Sequence, residues 1–154
     1  MGNVFYKQKK YADAIDRLKK AVELAPNYDL AWNILGLCQE KENQLSDATN
    51  SFEMAIKASK KNSRKGTNYY RLGNVLLKMK NYKNAESAFL NALKFSKSQS
   101  IVGGANFGLG EVYKFLGKKQ SAIRHYEKAA RNRSWKASAD YEIDLLKNPD
   151  KYVK

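Results

Sequence analysis

The chain has one cysteine, one histidine and two prolines among its 154 residues. With Cys38 alone, an internal disulfide and a thiolate metal cluster are excluded; with His125 alone, so is a two-histidine metal motif such as HExxH. The nine glycines form no GxxxxGK[ST] loop, so nucleotide hydrolysis on a phosphate-binding loop has no support. No stretch approaches the roughly 18 uninterrupted apolar residues of a membrane span. The start, MGNVFYKQKKYADAI, lacks the basic, apolar and small-residue order of a signal peptide. Acid is missing from one long segment: between Glu53 and Glu86 there is none.

What is present fits one folded domain with a real core, at 43% hydrophobic and 29% charged residues. The net charge of +14 is unevenly spread. Residues 1–53 hold 7 Lys/Arg against 8 Asp/Glu, residues 54–110 hold 11 against Glu86 alone, and residues 111–154 hold 11 against 6. The basic part is therefore the middle third, where Lys57, Lys60, Lys61, Arg64, Lys65, Arg71, Lys78, Lys80 and Lys83 follow one another without an intervening acid.

The strongest pattern is internal repetition. With Gly2, Gly36, Gly73 and Gly110 aligned, the position twelve later is Ala14, Ala48, Ala85 and Ala122, and nineteen later Ala21, Ala55, Ala92 and Ala129. Sixteen after each glycine stands a bulky residue, Leu18, Phe52, Phe89 or Tyr126, and leucine precedes three of the glycines as Leu35, Leu72 and Leu109. Leu45, Ala48, Phe52, Ala55 and Ile56 recur at helical spacing rather than at the alternation of a strand. Small residues let antiparallel helices approach closely, so Gly36 is expected to face Ala48, with Phe52 filling the space beside the small-residue stripe. The pattern predicts helix pairs near residues 2–9 and 11–24, 29–42 and 45–59, 66–79 and 82–96, and 103–116 and 119–132.

These landmarks resemble the tetratricopeptide repeat (TPR) family, whose 34-residue helix–turn–helix unit carries W-x2-L-G-x2-Y, then A-x3-F, then A and P. The first copy, from Gly2 through Tyr6, Ala14 and Ala21 to Pro26, is near that consensus. Trp32 and Tyr69 occupy the leading aromatic place, but Asn106 does not; Lys60, Lys97 and Ser134 replace the closing proline, and three extra residues are expected to lengthen each of the last two inter-repeat connections. The resemblance implies an all-α TPR solenoid of about four antiparallel helix pairs in a single domain, with repeats near 1–28, 29–62, 66–99 and 103–133. The segment 134–147, with Trp135, Ala139, Ile143 and Leu146 on one stripe, reads as a capping helix ended by Asn148 and Pro149. Met1 stands one residue before the first glycine, so a fragment with a shortened first helix is expected.

In the TPR family the first helix of each pair lines a concave groove, so candidate contacts follow from the residues off its packing stripe. The first copy offers Asn3, Tyr6 and Lys7; the second Asn33, Leu37, Glu40 and Lys41. The third offers Tyr70, Arg71, Asn74, Leu77 and Lys78, and the fourth Phe107, Glu111, Lys114 and Phe115. Amides suit a peptide backbone, rings supply packing surface, and the lysines suit an acidic partner. The implied function is a protein-interaction scaffold without enzymatic activity or cofactor, its partner a protein or peptide, acidic by preference. One TPR subgroup clamps a C-terminal carboxylate with two asparagines and three basic residues; only Asn3 and Arg71 match it, while Ile34 and Thr67 depart from it. Two alternatives stay open: nucleic-acid binding through the basic middle and structural stacking into homo-oligomers. The basic residues fall both at an inter-repeat connection and around an intra-repeat turn, which argues against a nucleic-acid track. Cys38 reads as a small packing residue and His125 as an ordinary surface histidine. No membrane insertion is expected. The sequence does not fix a compartment; a cytoplasmic one is favoured, subject to whatever once preceded Met1.

Overall fold

The structure, a computed structural model, describes residues 10–152. The expected helix at 2–9, with Asn3, Tyr6 and Lys7, lies outside the described residues. Among them run α1 (Tyr11–Leu24), α2 (Asp29–Lys41), α3 (Leu45–Ala58), α4 (Asn62–Lys78), α5 (Tyr82–Phe95), α6 (Gln99–Phe115), α7 (Lys119–Ala129) and α8 (Arg133–Lys147), closed by a 3-10 turn over Pro149–Tyr152. No strand occurs among the described residues. Each helix packs on its neighbours in the chain, while α4 also packs on α6 and α6 on α8. The molecule is thus an all-α solenoid in which α2, α4 and α6 form one layer and α1, α3, α5 and α7 the other.

The aligned glycines have a sharper role than small-residue contact. A Cβ built on Gly36 would stand 2.8 Å from Phe52 Cε1, one on Gly73 2.7 Å from Phe89 Cδ1, and one on Gly110 2.5 Å from Tyr126 Cε1. Each glycine therefore makes the slot for the ring sixteen residues later, on the second helix of its own pair. Phe52, Phe89 and Tyr126 are fully buried, so the glycine-plus-sixteen spacing encodes how the hairpin closes. Phe89 is gripped twice, because Gly108 of the next repeat also lies against it. Ala48, Ala55, Ala85, Ala92, Ala122 and Ala129 are buried too, as the repeat pattern requires.

The turns inside the pairs share one geometry. Asn43 (φ 58), Lys80 (φ 58) and Gly117 (φ 70) each take the left-handed conformation just past a helix end. Gln44, Asn81 and Lys118 then donate their N–H groups to Gln39 O, Leu76 O and Tyr113 O at 2.8–2.9 Å. This is the paired-bond ending that satisfies the last helix carbonyls.

The three extra residues before each of the last two repeats are not loop. They lengthen the first helices: α4 and α6 have 17 residues where α2 has 13. Just after the added turn the packing is close, with a Cβ on Gly66 standing 2.5 Å from Ser96 Cβ and one on Gly103 2.7 Å from Trp135 Cδ1. At the C-terminal end Ala139 is fully buried, and Trp135, Ile143 and Leu146 pack with it against Tyr126 and Ala129, so α8 covers the last repeat.

Candidate functional site

The first helices α2, α4 and α6 carry the candidate contacts, and side chains tie their rows together. Asn33 donates its amide to Asn68 Oδ1 and accepts from the Arg71 guanidinium on α4. One helical turn and more along, Lys78 pairs with Glu40. On α6, Lys114 bonds Glu111 at 2.8 Å and Glu142 of α8 at 2.9 Å. Burial pushes the Lys114 ammonium down, but the two carboxylates outweigh it and its pKa is raised. Much of the charge expected to meet a ligand is thus already paired across neighbouring helices.

The aromatic members divide by position. Tyr70 is half-buried, with its ring 6.2 Å from Phe89 and its hydroxyl end against Gly104. Phe107 stacks on Trp135 at 4.9 Å and meets Tyr126 edge-on at 5.3 Å. Both rings are joints between repeats as well as parts of the face. Phe115 lies at the rim, exposed and stacked on Tyr82 at 5.3 Å. Leu37, Asn74 and Leu77 are half-buried along the rows, and Lys41 is exposed at the end of α2. The layer therefore presents an amide and apolar strip between bound ion pairs.

Beneath the N-terminal ends of α2 and α4 lies a buried polar network outside the expected contacts. Asp29, only 6% exposed, accepts from Ser59 Oγ at 2.8 Å and from Arg64 at 3.0 Å. Asn68, 3% exposed, donates to the same Ser59 oxygen at 3.4 Å and receives Asn33, which links the network to the candidate face. One signal for it stands in the sequence: Asn68 falls in the repeat column occupied by the buried Ala31 and Ala105. A polar residue in a small apolar column needs a buried partner.

Cys38 and His125 lie on different repeats. Cys38 is fully buried, and burial, aided by Glu42, pushes its thiol up to about 11. Such a thiol is a packing group at neutral pH. His125 is not the plain surface residue expected. It is half-buried, 3.0 Å from Asn106 Oδ1 and beside the Tyr113 ring at 5.3 Å. The Asn106 amide nitrogen is committed to Val102 O at 2.9 Å, so the histidine Nδ1–H donates to Oδ1. Tyr113 in turn donates to Glu86 at 2.6 Å, and burial together with that carboxylate pushes the phenol up to about 12. Among the described residues no group of three or more His, Cys, Asp or Glu is arranged to hold a metal ion.

Two family models match this chain, TPR repeat over residues 2–43 and tetratricopeptide repeat over residues 65–134. The chain belongs to the tetratricopeptide repeat family. Among curated TPR relatives, the mouse BBSome complex member BBS4 is 30% identical over 128 residues, 82% of this chain and 23% of its own length. The Kluyveromyces lactis peroxisomal targeting signal receptor is 27% identical over 103 residues, 66% of this chain and 17% of its own. The Arabidopsis thaliana E3 ubiquitin-protein ligase CHIP is 26% identical over 138 residues, 90% of this chain and 47% of its own. The chain spans less than half the length of each of these relatives. Among solved structures, MamA superposes with a TM-score of 0.86 at 22% identity, covering 98% of this chain and 85% of MamA. YrrB, described as a TPR protein with an unusual peptide-binding site, superposes at 0.78 with 21% identity, covering 97% and 74%. At these identities the structural likeness speaks for the TPR fold.

Proposed function

We propose that this TPR chain is a protein-interaction scaffold that takes a peptide segment of a partner protein along the face of α2, α4 and α6. The observation that carries the reading is the braced layer itself. Asn33–Arg71 and Glu40–Lys78 lock the rows of α2 and α4 side by side, while Leu37 and Asn74 stand between them without a polar bond in the structure. A rigid face of this kind spares a ligand the cost of ordering it. Asn74 offers both a donor and an acceptor to a peptide backbone, and Leu37, Leu77 and the Tyr70 ring offer apolar contact. The relatives give the same class of role some support: a targeting signal receptor and a peptide-binding TPR protein stand among them.

An acidic partner fits the net charge of +14, which speeds encounter and disfavours basic competitors. Within the face, a ligand carboxylate meets Lys78 and Lys114 only in competition with Glu40, Glu111 and Glu142, so preference for acid arises chiefly from the long-range field. Most of the basic middle gathers at the two ends of α4, with Lys57, Lys60, Lys61, Arg64 and Lys65 at one and Lys78, Lys80 and Lys83 at the other, ends about 25 Å apart along a 17-residue helix, while Arg71 between them is bound to Asn33. That split favours the peptide reading over a phosphate track.

A display library of random peptides supplies ligands even while the natural partner is unidentified. Affinities of the selected peptides are then measured for Leu37→Ala and Asn74→Ala against Lys57→Glu and Lys61→Glu, with melting temperatures alongside. The expected result is a loss of at least about tenfold for the first pair, of the size seen when a central contact is removed, with the melting temperature nearly unchanged for Asn74→Ala and lowered for Leu37→Ala, which also packs on the core. Loss confined to the second pair moves the site to the basic edge and contradicts the proposal.

A further inference from the structure

At the edge where α4 turns into α5 and α6 into α7, two consecutive turns present an apolar ridge. Met79 is 39% exposed, Phe115 57% and Leu116 42%. The Phe115 ring lies nearly parallel to Tyr82, 5.3 Å away with 15° between planes, so the two turns form one continuous patch. Phe115 packs on Tyr82 and Lys114, and Met79 meets Thr49, yet more than a third of each of Met79, Phe115 and Leu116 stays exposed, and a contiguous patch of such residues marks a contact surface.

The two turn segments themselves carry one sign of charge. Residues 78–84 and 114–121 contain six lysines and no acid. Lys78 and Lys114 are bound to Glu40, Glu111 and Glu142. Lys118 lies over the Tyr113 ring at 5.7 Å, and Lys80, Lys83, Lys118 and Lys119 make no ion pair within the described residues. The ridge protrudes, since it is built from turn tips rather than from the trough between helices. A peptide helix needs a groove for its apolar stripe, and a nucleic-acid backbone needs cations but no exposed Phe, Leu and Met. A flat anionic surface with an apolar interior needs both, with side chains at the headgroup level and lysines around them.

We propose that the turns at 79–83 and 115–119 form a peripheral docking edge for an anionic lipid bilayer, at the rim of the peptide face. No described helix is long and apolar enough to cross a membrane, so the contact is superficial: Phe115, Leu116 and Met79 enter the interface, and Lys80, Lys83, Lys118 and Lys119 meet lipid phosphates and carboxylates. With the edge on the bilayer, α2, α4 and α6 stand upright from it and the peptide face stays accessible.

Vesicles of phosphatidylcholine alone and of phosphatidylcholine with phosphatidylserine, sedimented with the purified chain, test this. The chain is expected to sediment with the anionic vesicles and stay in solution with the neutral ones. Phe115→Ser with Leu116→Ser is expected to abolish sedimentation, and Lys118→Glu with Lys119→Glu to weaken it by at least about fivefold per lysine changed. Lys60→Glu with Lys61→Glu, at the other edge and with the same change in net charge, is expected to retain it. Circular dichroism melting of all four proteins checks that the fold persists. Equal losses in both lysine variants with none in the serine variant would reduce the effect to net charge and overturn the proposal, as would binding to neither vesicle. Binding of a short nucleic-acid duplex that depends on Lys118 and Lys119 but not on Phe115, without vesicle binding, would assign the edge to phosphate backbones instead.

Discussion

Phe89 shows how a single residue sets the joint between repeats. Its ring fills the slot left by Gly73, touches Gly108 on the next repeat and lies 6.2 Å from Tyr70. A methyl group at Gly73 would meet the ring at 2.7 Å, and fully buried Phe89 has no room to retreat. Gly73→Ala is therefore expected to destabilise by about 1–3 kcal/mol through overpacking, read as a lower urea midpoint. His125 makes a second residue-level prediction. Burial, then Lys128 and Arg124, lowers its pKa against the opposing pull of Glu86. The unfolded chain then binds the proton more readily, so stability is full above about pH 6.5 and falls as the pH drops through that value toward the lowered folded pKa. Urea midpoints across this window should decline for the native chain and stay flat for His125→Gln. The repeat's glycine and bulky positions are legible in the sequence because they recur in register; the His125 contact is not, since Asn106 is an irregularity of one repeat.

Among the elements, α4 departs from the repeat pattern as α6 does. It is longer than the pattern predicts, with an added turn starting at Asn62, and just after that turn Gly66 packs onto Ser96. A count of residues between landmarks cannot distinguish a longer loop from a longer helix; Gly66, in the column of Asp29 and Gly103, is the only sign of close packing. The C-terminal end of α4 holds strain that the sequence does not mark. Lys80 stands at φ 58, where the equivalent residue of the last pair is Gly117 at φ 70. A side chain in this conformation costs about 1–2 kcal/mol, offset in part by the greater freedom a glycine loses on folding. Lys80→Gly should thus raise stability by about 0.5–1 kcal/mol in denaturant titration, and no change would mean that the turn is relaxed with lysine in place.

At the scale of the whole molecule, the all-α solenoid and its cap follow from a 34- to 37-residue period, because each repeat buries its apolar face only against the next. The candidate face is legible in the sequence as a set of positions but not as a set of partnerships. Sequence alone leaves Asn33, Arg71, Lys78, Glu111 and Lys114 open to a ligand, whereas bonds across helices, and within α6 for Glu111 and Lys114, join them to one another and to Asn68, Glu40 and Glu142. On α2, α4 and α6 the half-buried Leu37, Asn74 and Leu77 carry no polar side-chain bond to a described neighbour, and the central claim is that a partner segment lies along them. The most direct measurement is amide and side-chain chemical-shift mapping of the isotope-labelled chain with a library-selected peptide. Perturbations concentrated at Leu37, Asn74, Leu77 and their neighbours on these three helices are expected; perturbations concentrated on α3, α5 and α7, with the Asn74 side-chain amide unmoved, would contradict the account.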